Sequence, residues 1–94
     1  MELNYKGSFF RDLDNISNRY LMIAIKKKIQ EIASAKSLAH VSYLKRFKAY
    51  TDTWYKIEIH PEHNDKVYWI LCIIKNNVLE LRRVKSETYF KKHY

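Results

Sequence analysis

Between Val67 and Val84 two apolar runs flank the dipeptide Asn76-Asn77. The first, Tyr68-Trp69-Ile70-Leu71-Cys72-Ile73-Ile74, is rich in β-branched and aromatic side chains; the second, Val78-Leu79-Glu80-Leu81-Arg82-Arg83-Val84, alternates. Both read as strands, because such side chains fit a pleated, half-buried surface. A two-residue hairpin loop needs positive φ at its central positions, and Asn tolerates this best among residues other than glycine. Counting outward from that turn sets Ile74 opposite Leu79, Cys72 opposite Leu81 and Ile70 opposite Arg83. On the other face Ile73 meets Glu80, Leu71 meets Arg82 and Trp69 meets Val84. The first face is the more apolar and is expected to carry the core. The second mixes apolar bulk with charge.

Upstream, Leu3 and Tyr5 alternate with Glu2, Asn4 and Lys6 in a short strand that ends at Gly7. Ser8 is placed to cap a short helix carrying Phe9, Leu13 and Ile16 on one side. Ser17-Asn18 interrupts and can cap the next helix, in which Leu21, Ile25, Ile29 and Ile32 form a stripe widened by Met22 and Ala33. Lys26, Lys27, Lys28, Gln30 and Glu31 fill the opposite, solvated face. Leu38 to Tyr43 shows no clear period. A strand runs from about Leu44 to Tyr50, Thr51-Asp52-Thr53 reads as a turn, and Trp54-Tyr55-Lys56-Ile57-Glu58-Ile59 alternates cleanly. Tyr55, Ile57 and Ile59 should point to the core, leaving Trp54, Lys56 and Glu58 outside. His60 to Asp65 is a polar loop, and Glu87 to Lys92 a short helical segment. The pattern is α+β. A short N-terminal strand and two helices precede a mainly antiparallel four-stranded run, with the helices packed on one face. Residues 1–94 make one domain.

Composition narrows the function. With 47% apolar residues the chain is expected to fold. Its single cysteine, Cys72, allows no internal disulfide and sits mid-strand as core. The N-terminus lacks the apolar stretch of a signal peptide and no apolar run is long enough to span a bilayer, so the expected address is the cytoplasm, without membrane contact. Lys and Arg number 18 against 10 Asp and Glu, a net +8 that favours a polyanionic partner, nucleic acid or an acidic protein. Two Trp, eight Tyr and four Phe favour nucleic acid, since bases stack on aromatic faces.

Other chemistries find no support. One glycine cannot make a phosphate-binding loop, and there is no Cys-x-x-Cys pair for zinc. His60-x-x-His63 with Glu62 and Asp65 has ligand-type residues, in a mixture common in turn loops, and no metal or cofactor is expected. No carboxylate pair is placed for glycoside hydrolysis, and no Ser or Cys nucleophile has an identifiable partner. What remains is the outer sheet face. Trp54, Lys56 and Glu58 should share it with Trp69, Arg82 and either Lys45 or Lys48. Cations interleaved with aromatics on a rigid sheet suit a phosphate backbone and a stacked base.

Three stretches also resemble a known family. Asn4-Tyr5-Lys6-Gly7-Ser8-Phe9-Phe10-Arg11-Asp12-Leu13 is similar to the opening strand and helix of the RelE/ParE toxins of bacterial toxin–antitoxin systems. Leu44-Lys45-Arg46-Phe47-Lys48 and Trp54-Tyr55-Lys56-Ile57-Glu58-Ile59 resemble that family's leucine–lysine–glycine and tyrosine–arginine–isoleucine–arginine strand pair. Leu81-Arg82-Arg83-Val84-Lys85-Ser86-Glu87-Thr88-Tyr89-Phe90 resembles its last strand and basic, tyrosine-bearing tail. The likeness covers nearly the whole chain in element order, size and charge. Four residues, at three places, depart from the pattern. Arg46 replaces the glycine, Glu58 the second arginine, and Lys85-Ser86 a frequent histidine–arginine.

The resemblance implies a RelE-like fold and a metal-independent endoribonuclease that cuts messenger RNA on the ribosome and is silenced by an antitoxin protein. The RNA supplies its own nucleophile, the ribose 2′-OH, and the protein must take a proton and stabilise the phosphorane. Glu58 is a candidate base, with Lys56 or a cation from Lys45 and Lys48 as competitor, provided neighbouring cations depress its pKa. Arg82 is the expected phosphate clamp, with Arg83 in its place should the register slip by one. Tyr89, or else His93-Tyr94, could protonate the leaving group or stack on the base. Lys45, Lys48, Trp54, Trp69, Arg83 and Lys85 are candidate RNA-binding residues. The same family implies a gyrase poison without RNase activity as an alternative, and a non-enzymatic nucleic-acid-binding domain is a third reading.

Overall fold

The alternating stretches become five strands: β1 (Leu3–Tyr5), β2 (Leu44–Ala49), β3 (Asp52–Ile59), β4 (Tyr68–Lys75) and β5 (Val78–Ser86). The 3.6-period stretches become α1 (Gly7–Asp14), α2 (Arg19–Ser34) and α3 (Glu87–His93). The computed structural model describes residues 1–49 and 52–94. The strands form one sheet in the order β1-β5-β4-β3-β2, with β1 parallel to β5 and the other pairs antiparallel. Tyr50 and Thr51 of the expected strand end and turn lie outside the described residues, whereas Asp52 and Thr53 belong to β3. The segment without a clear period holds one 3-10 turn, Leu38–His40.

Helices α1 and α2 cover one face. Phe9, Leu21, Ile25 and Ile32 pack on Ile57, Ile59, Ile70, Cys72, Leu79 and Leu81, all buried. Each such aliphatic side chain contributes roughly 1.5–3 kcal/mol by leaving water. Burial also pushes the Cys72 thiol up to about 12, as befits a core residue. Asn18 caps α2: its side-chain oxygen accepts from the Tyr20 and Leu21 N–H groups at 2.9 and 3.1 Å. Ser8 does not cap α1, which starts two residues earlier than a Ser8 cap would set it, after Lys6. Its hydroxyl instead donates to the Arg82 carbonyl at 2.6 Å.

The hairpin turn is as the sequence suggests, with φ of 52° at Asn76 and 63° at Asn77. Next to it Ile74 pairs with Leu79, Ile73 with Glu80 and Cys72 with Leu81. Farther along, the expected register fails. Leu71 faces Arg83, Ile70 faces Val84 and Trp69 faces Lys85, because β5 carries an extra residue, Arg82, in a bulge. The bulge lies where β5 loses its outer neighbour. Strand β1 pairs only with Leu79–Leu81, and the Lys6 N–H donates to the Leu81 carbonyl at 3.1 Å. Beyond that point α1 takes over, through Ser8 on the Arg82 carbonyl and Asp12 on the Val84 N–H at 2.9 Å. Backbone groups that a longer β1 would have paired are thus satisfied by side chains.

The second sheet face is not open along its whole width. Helix α3 lies over part of it, with the Phe90 ring 5.1 Å from Phe47 and 6.0 Å from Trp69. Tyr94 follows at 6.0 Å from Phe47 and 6.3 Å from Trp54. Trp69 is therefore only 5% exposed, against the expectation of a surface ring.

Candidate functional site

Cross-strand pairing lines up charged residues on the α3 face. Lys45 pairs with Lys56, Lys56 with Leu71, and Leu71 with Arg83, one row crossing four strands. The next row runs from Glu58 through Trp69 to Lys85. Neighbouring strands lie about 4.8 Å apart, so Lys56 and Arg83 start roughly 10 Å apart and can converge on one group. Period-two alternation explains the membership: Lys45 and Phe47 share this face, and Lys48 falls on the other side of β2.

Lys56 sits among rings, its ammonium 4.1 Å from the Phe90 centroid, 4.4 Å from Trp69 and 5.9 Å from Phe47. Burial lowers its pKa from the ordinary 10.5, and Lys45 adds to the depression, while Glu58 and Glu87 oppose it. Glu58 lies 3.4 Å from His60 Nε2. The Trp54 and Trp69 indole N–H groups are buried and meet no acceptor among the described residues. The Trp69 ring serves Lys56 as a wall rather than offering itself to a base.

The two arginines have separate carboxylates. Arg82 gives Nε and Nη2 to Glu80 Oε1 at 3.1 and 2.7 Å and rests 5.9 Å from the Trp54 ring. Glu80, also 3.4 Å from Lys6, is held below the usual carboxylate range by the Arg82 hydrogen bond. Arg83 gives Nε to Asp12 Oδ2 at 2.8 Å and Nη2 to Asp12 Oδ1 at 3.1 Å. Burial works to raise the Asp12 pKa, but the bonds from Arg83 and the Val84 N–H outweigh it and the carboxyl stays low. The Asp12 bond in turn raises Arg83. Lys85 lies 3.4 Å from Asp12 Oδ1 and 4.5 Å from the Tyr89 ring centroid, and Tyr89 packs on His93 at 4.1 Å. A hollow of about 700 Å³ opens beside this group, lined by Tyr68, Val84, Lys85, Glu87 and Tyr89 with Lys66.

One face therefore unites Lys45, Lys56, Glu58, Trp69, Arg83 and Lys85, with Tyr89 beside Lys85. Farther along the same face Arg82, held by Glu80, meets the Trp54 ring, and Lys48 falls on the other side of β2. Arg82 does not take the expected place beside Leu71, because the bulge gives that place to Arg83. His60 and His63 turn to Tyr43 and Tyr20, with centroids 5.5 and 4.8 Å apart. Sequence reasoning missed Asp12, Phe47 and Phe90. The period-two run of β2 could have found Phe47; no local signal marks Asp12, whose partner is 71 residues away.

No family model matches the chain, and no curated protein matches it significantly. Among solved structures it is similar to YafQ from E. coli strain BL21(DE3), with a TM-score of 0.65 over 95% of this chain and 96% of that one. The two sequences are 15% identical, so the likeness is one of fold. With its five-stranded mixed sheet and three helices, the chain has the α+β fold of that structure.

Proposed function

We propose that this protein is the toxin of a toxin–antitoxin pair and inhibits translation by cutting messenger RNA on the ribosome. The observation that carries the reading is the row Lys45–Lys56–Leu71–Arg83, which gathers cations on one rigid sheet face beside Lys85 and Tyr89. The RelE-like fold and the resemblance of the three sequence stretches point the same way.

The chemistry is attack of a ribose 2′-OH on the adjacent phosphate. Lys56 accepts the hydroxyl proton, and its depressed pKa supports that role over Glu58, which already faces His60. Arg83 and Lys85 hold the non-bridging oxygens, where charge grows in the phosphorane. Tyr89 donates a proton to the departing 5′-oxygen or stacks on the neighbouring base, for which the adjoining hollow leaves room. Side chains supply every group this reaction needs, and no metal enters it. The partner that silences the toxin is an antitoxin, acidic or amphipathic, drawn to the cationic face, and both act in the cytoplasm.

The test is incubation of the purified protein with ribosomes translating a defined message, followed by analysis of the new RNA ends. The expected products carry 2′,3′-cyclic phosphate on one fragment and 5′-hydroxyl on the other. Intact message, with gyrase supercoiling inhibited instead, would overturn the nuclease in favour of a gyrase poison.

A further inference from the structure

Strand β1 stops at Tyr5, and α1 then lies along the open edge of β5 where the bulge occurs. Three consecutive residues of β5 are fastened to that helix. Ser8 Oγ donates to the Arg82 carbonyl at 2.6 Å, Arg83 donates through both arms of its guanidinium fork to Asp12, and the Val84 N–H donates to Asp12 Oδ2. Lys85 lies 3.4 Å from the same carboxylate. The Asp12 side chain is only 9% exposed, so water competes little for these bonds.

A carboxylate placed so close to the cations of a phosphate site is at first sight a liability, since it repels the anion they await. Its geometry argues for a compensating use. Two parallel N–H···O bonds fix the plane of a guanidinium, where one charge contact would leave it free to swing. Asp12 takes Nε and Nη2, so Nη1 is the guanidinium nitrogen turned away from the carboxylate, and Tyr89 and Tyr94 act on the same charge. The bond to the Val84 backbone ties that plane to the strand itself. Glu80 cannot do the same for this row, because it holds Arg82 on the other side of the bulge.

We infer that Asp12 is a positioning residue, which holds the Arg83 fork in the orientation that receives a substrate phosphate oxygen. The inference rests on the reading of Arg83 as a phosphate-holding residue. It separates orientation from charge. Removing the carboxylate removes repulsion, so Asp12→Asn should bind RNA as tightly as the parent or more tightly, yet cleave bound RNA more slowly. Misplacement of a reacting or stabilising group by about 1 Å can cost 100-fold, and a loss of about 10- to 100-fold is expected.

The experiment measures affinity for a short single-stranded RNA and single-turnover cleavage of a ribosome-bound message, with the melting curve of each variant taken alongside. The expected result is undiminished affinity, a slower cut, and an Asp12→Asn/Arg83→Ala double variant no slower than Arg83→Ala alone. Asp12→Glu, which keeps the charge and moves the carboxylate by one methylene, is expected to cut at an intermediate rate. It decides the question should Asp12→Asn not fold. A folded Asp12→Asn at or above the parental rate, multiplying losses in the double variant, or a parental rate for Asp12→Glu when Asp12→Asn does not fold would overturn the inference. A parent that cuts nothing would remove the nuclease reading instead. The Arg83 Nε–H resonance then decides. A shift on adding RNA to the parent that vanishes in Asp12→Asn upholds the positioning role, and the same response in both, or none in the parent, overturns it.

Discussion

Arg82 and Arg83 are adjacent in sequence, and each binds a carboxylate through Nε and Nη2, yet only one enters the cationic row. At this scale simple alternation placed several of the candidate residues on their face. Lys56, Glu58 and Trp54 were legible on the outer side of β3, because a strand turns its side chains to alternate faces. What the pattern could not supply was the environment of Lys56, since three of its neighbours, Phe47, Trp69 and Phe90, come from three other elements. That environment leads to a prediction. A lysine base works in its neutral form, and burial with Lys45 beside it lowers the Lys56 pKa from 10.5. Single-turnover cleavage should therefore rise tenfold per pH unit through the neutral range and level off below pH 10.5. Lys56→Arg, permanently charged, should lose about 100- to 10,000-fold in rate at neutral pH. A flat pH profile measured on the folded parent would remove Lys56 as the base.

Among the elements, those with a strong local signal were read correctly. The Leu21, Ile25, Ile32 stripe gave α2, Asn18 its cap, and Asn76-Asn77 the hairpin turn. The bulge in β5 was not legible, because it is fixed by α1 side chains that reach across from the other end of the chain. Helix α3 was legible as a helix but not as to its face, since seven residues with few apolar positions fit either side of the sheet. The packing of α2 can be tested at Ile25, 1% exposed at the centre of its stripe. Ile25→Asp would put an unpaired carboxylate into the core cluster that also holds Ile57 and Ile70. A loss of about 4 kcal/mol is expected for such a charge, out of a total stability on the order of 5–15 kcal/mol. The thermal midpoint should fall by roughly 16–32 °C or the cooperative transition disappear. An Ile25→Asp variant melting like the parent would contradict the placement of α2 on the sheet.

Across the whole molecule, a net charge of +8 could have been spread evenly. The sheet instead lines up Lys45, Lys56 and Arg83 in one row and brings Lys85 and Tyr89 to its end. The α+β order was legible from the succession of periods, and the expected helical layer over the Ile70, Cys72 and Leu81 face is present. The site was legible as a face but not as a constellation. One inserted residue in β5 moves Arg83 into the row and Arg82 out of it, and no periodicity announces an insertion. The claim that this row performs the RNA chemistry is tested most directly by Arg83→Ala and Arg82→Ala, assayed together for single-turnover cleavage of a ribosome-bound message. With both variants melting cooperatively, Arg83→Ala should be slower than the parent by about 100- to 1,000-fold and Arg82→Ala close to the parental rate. The reverse order, or two variants that both cut like the parent, would contradict the account.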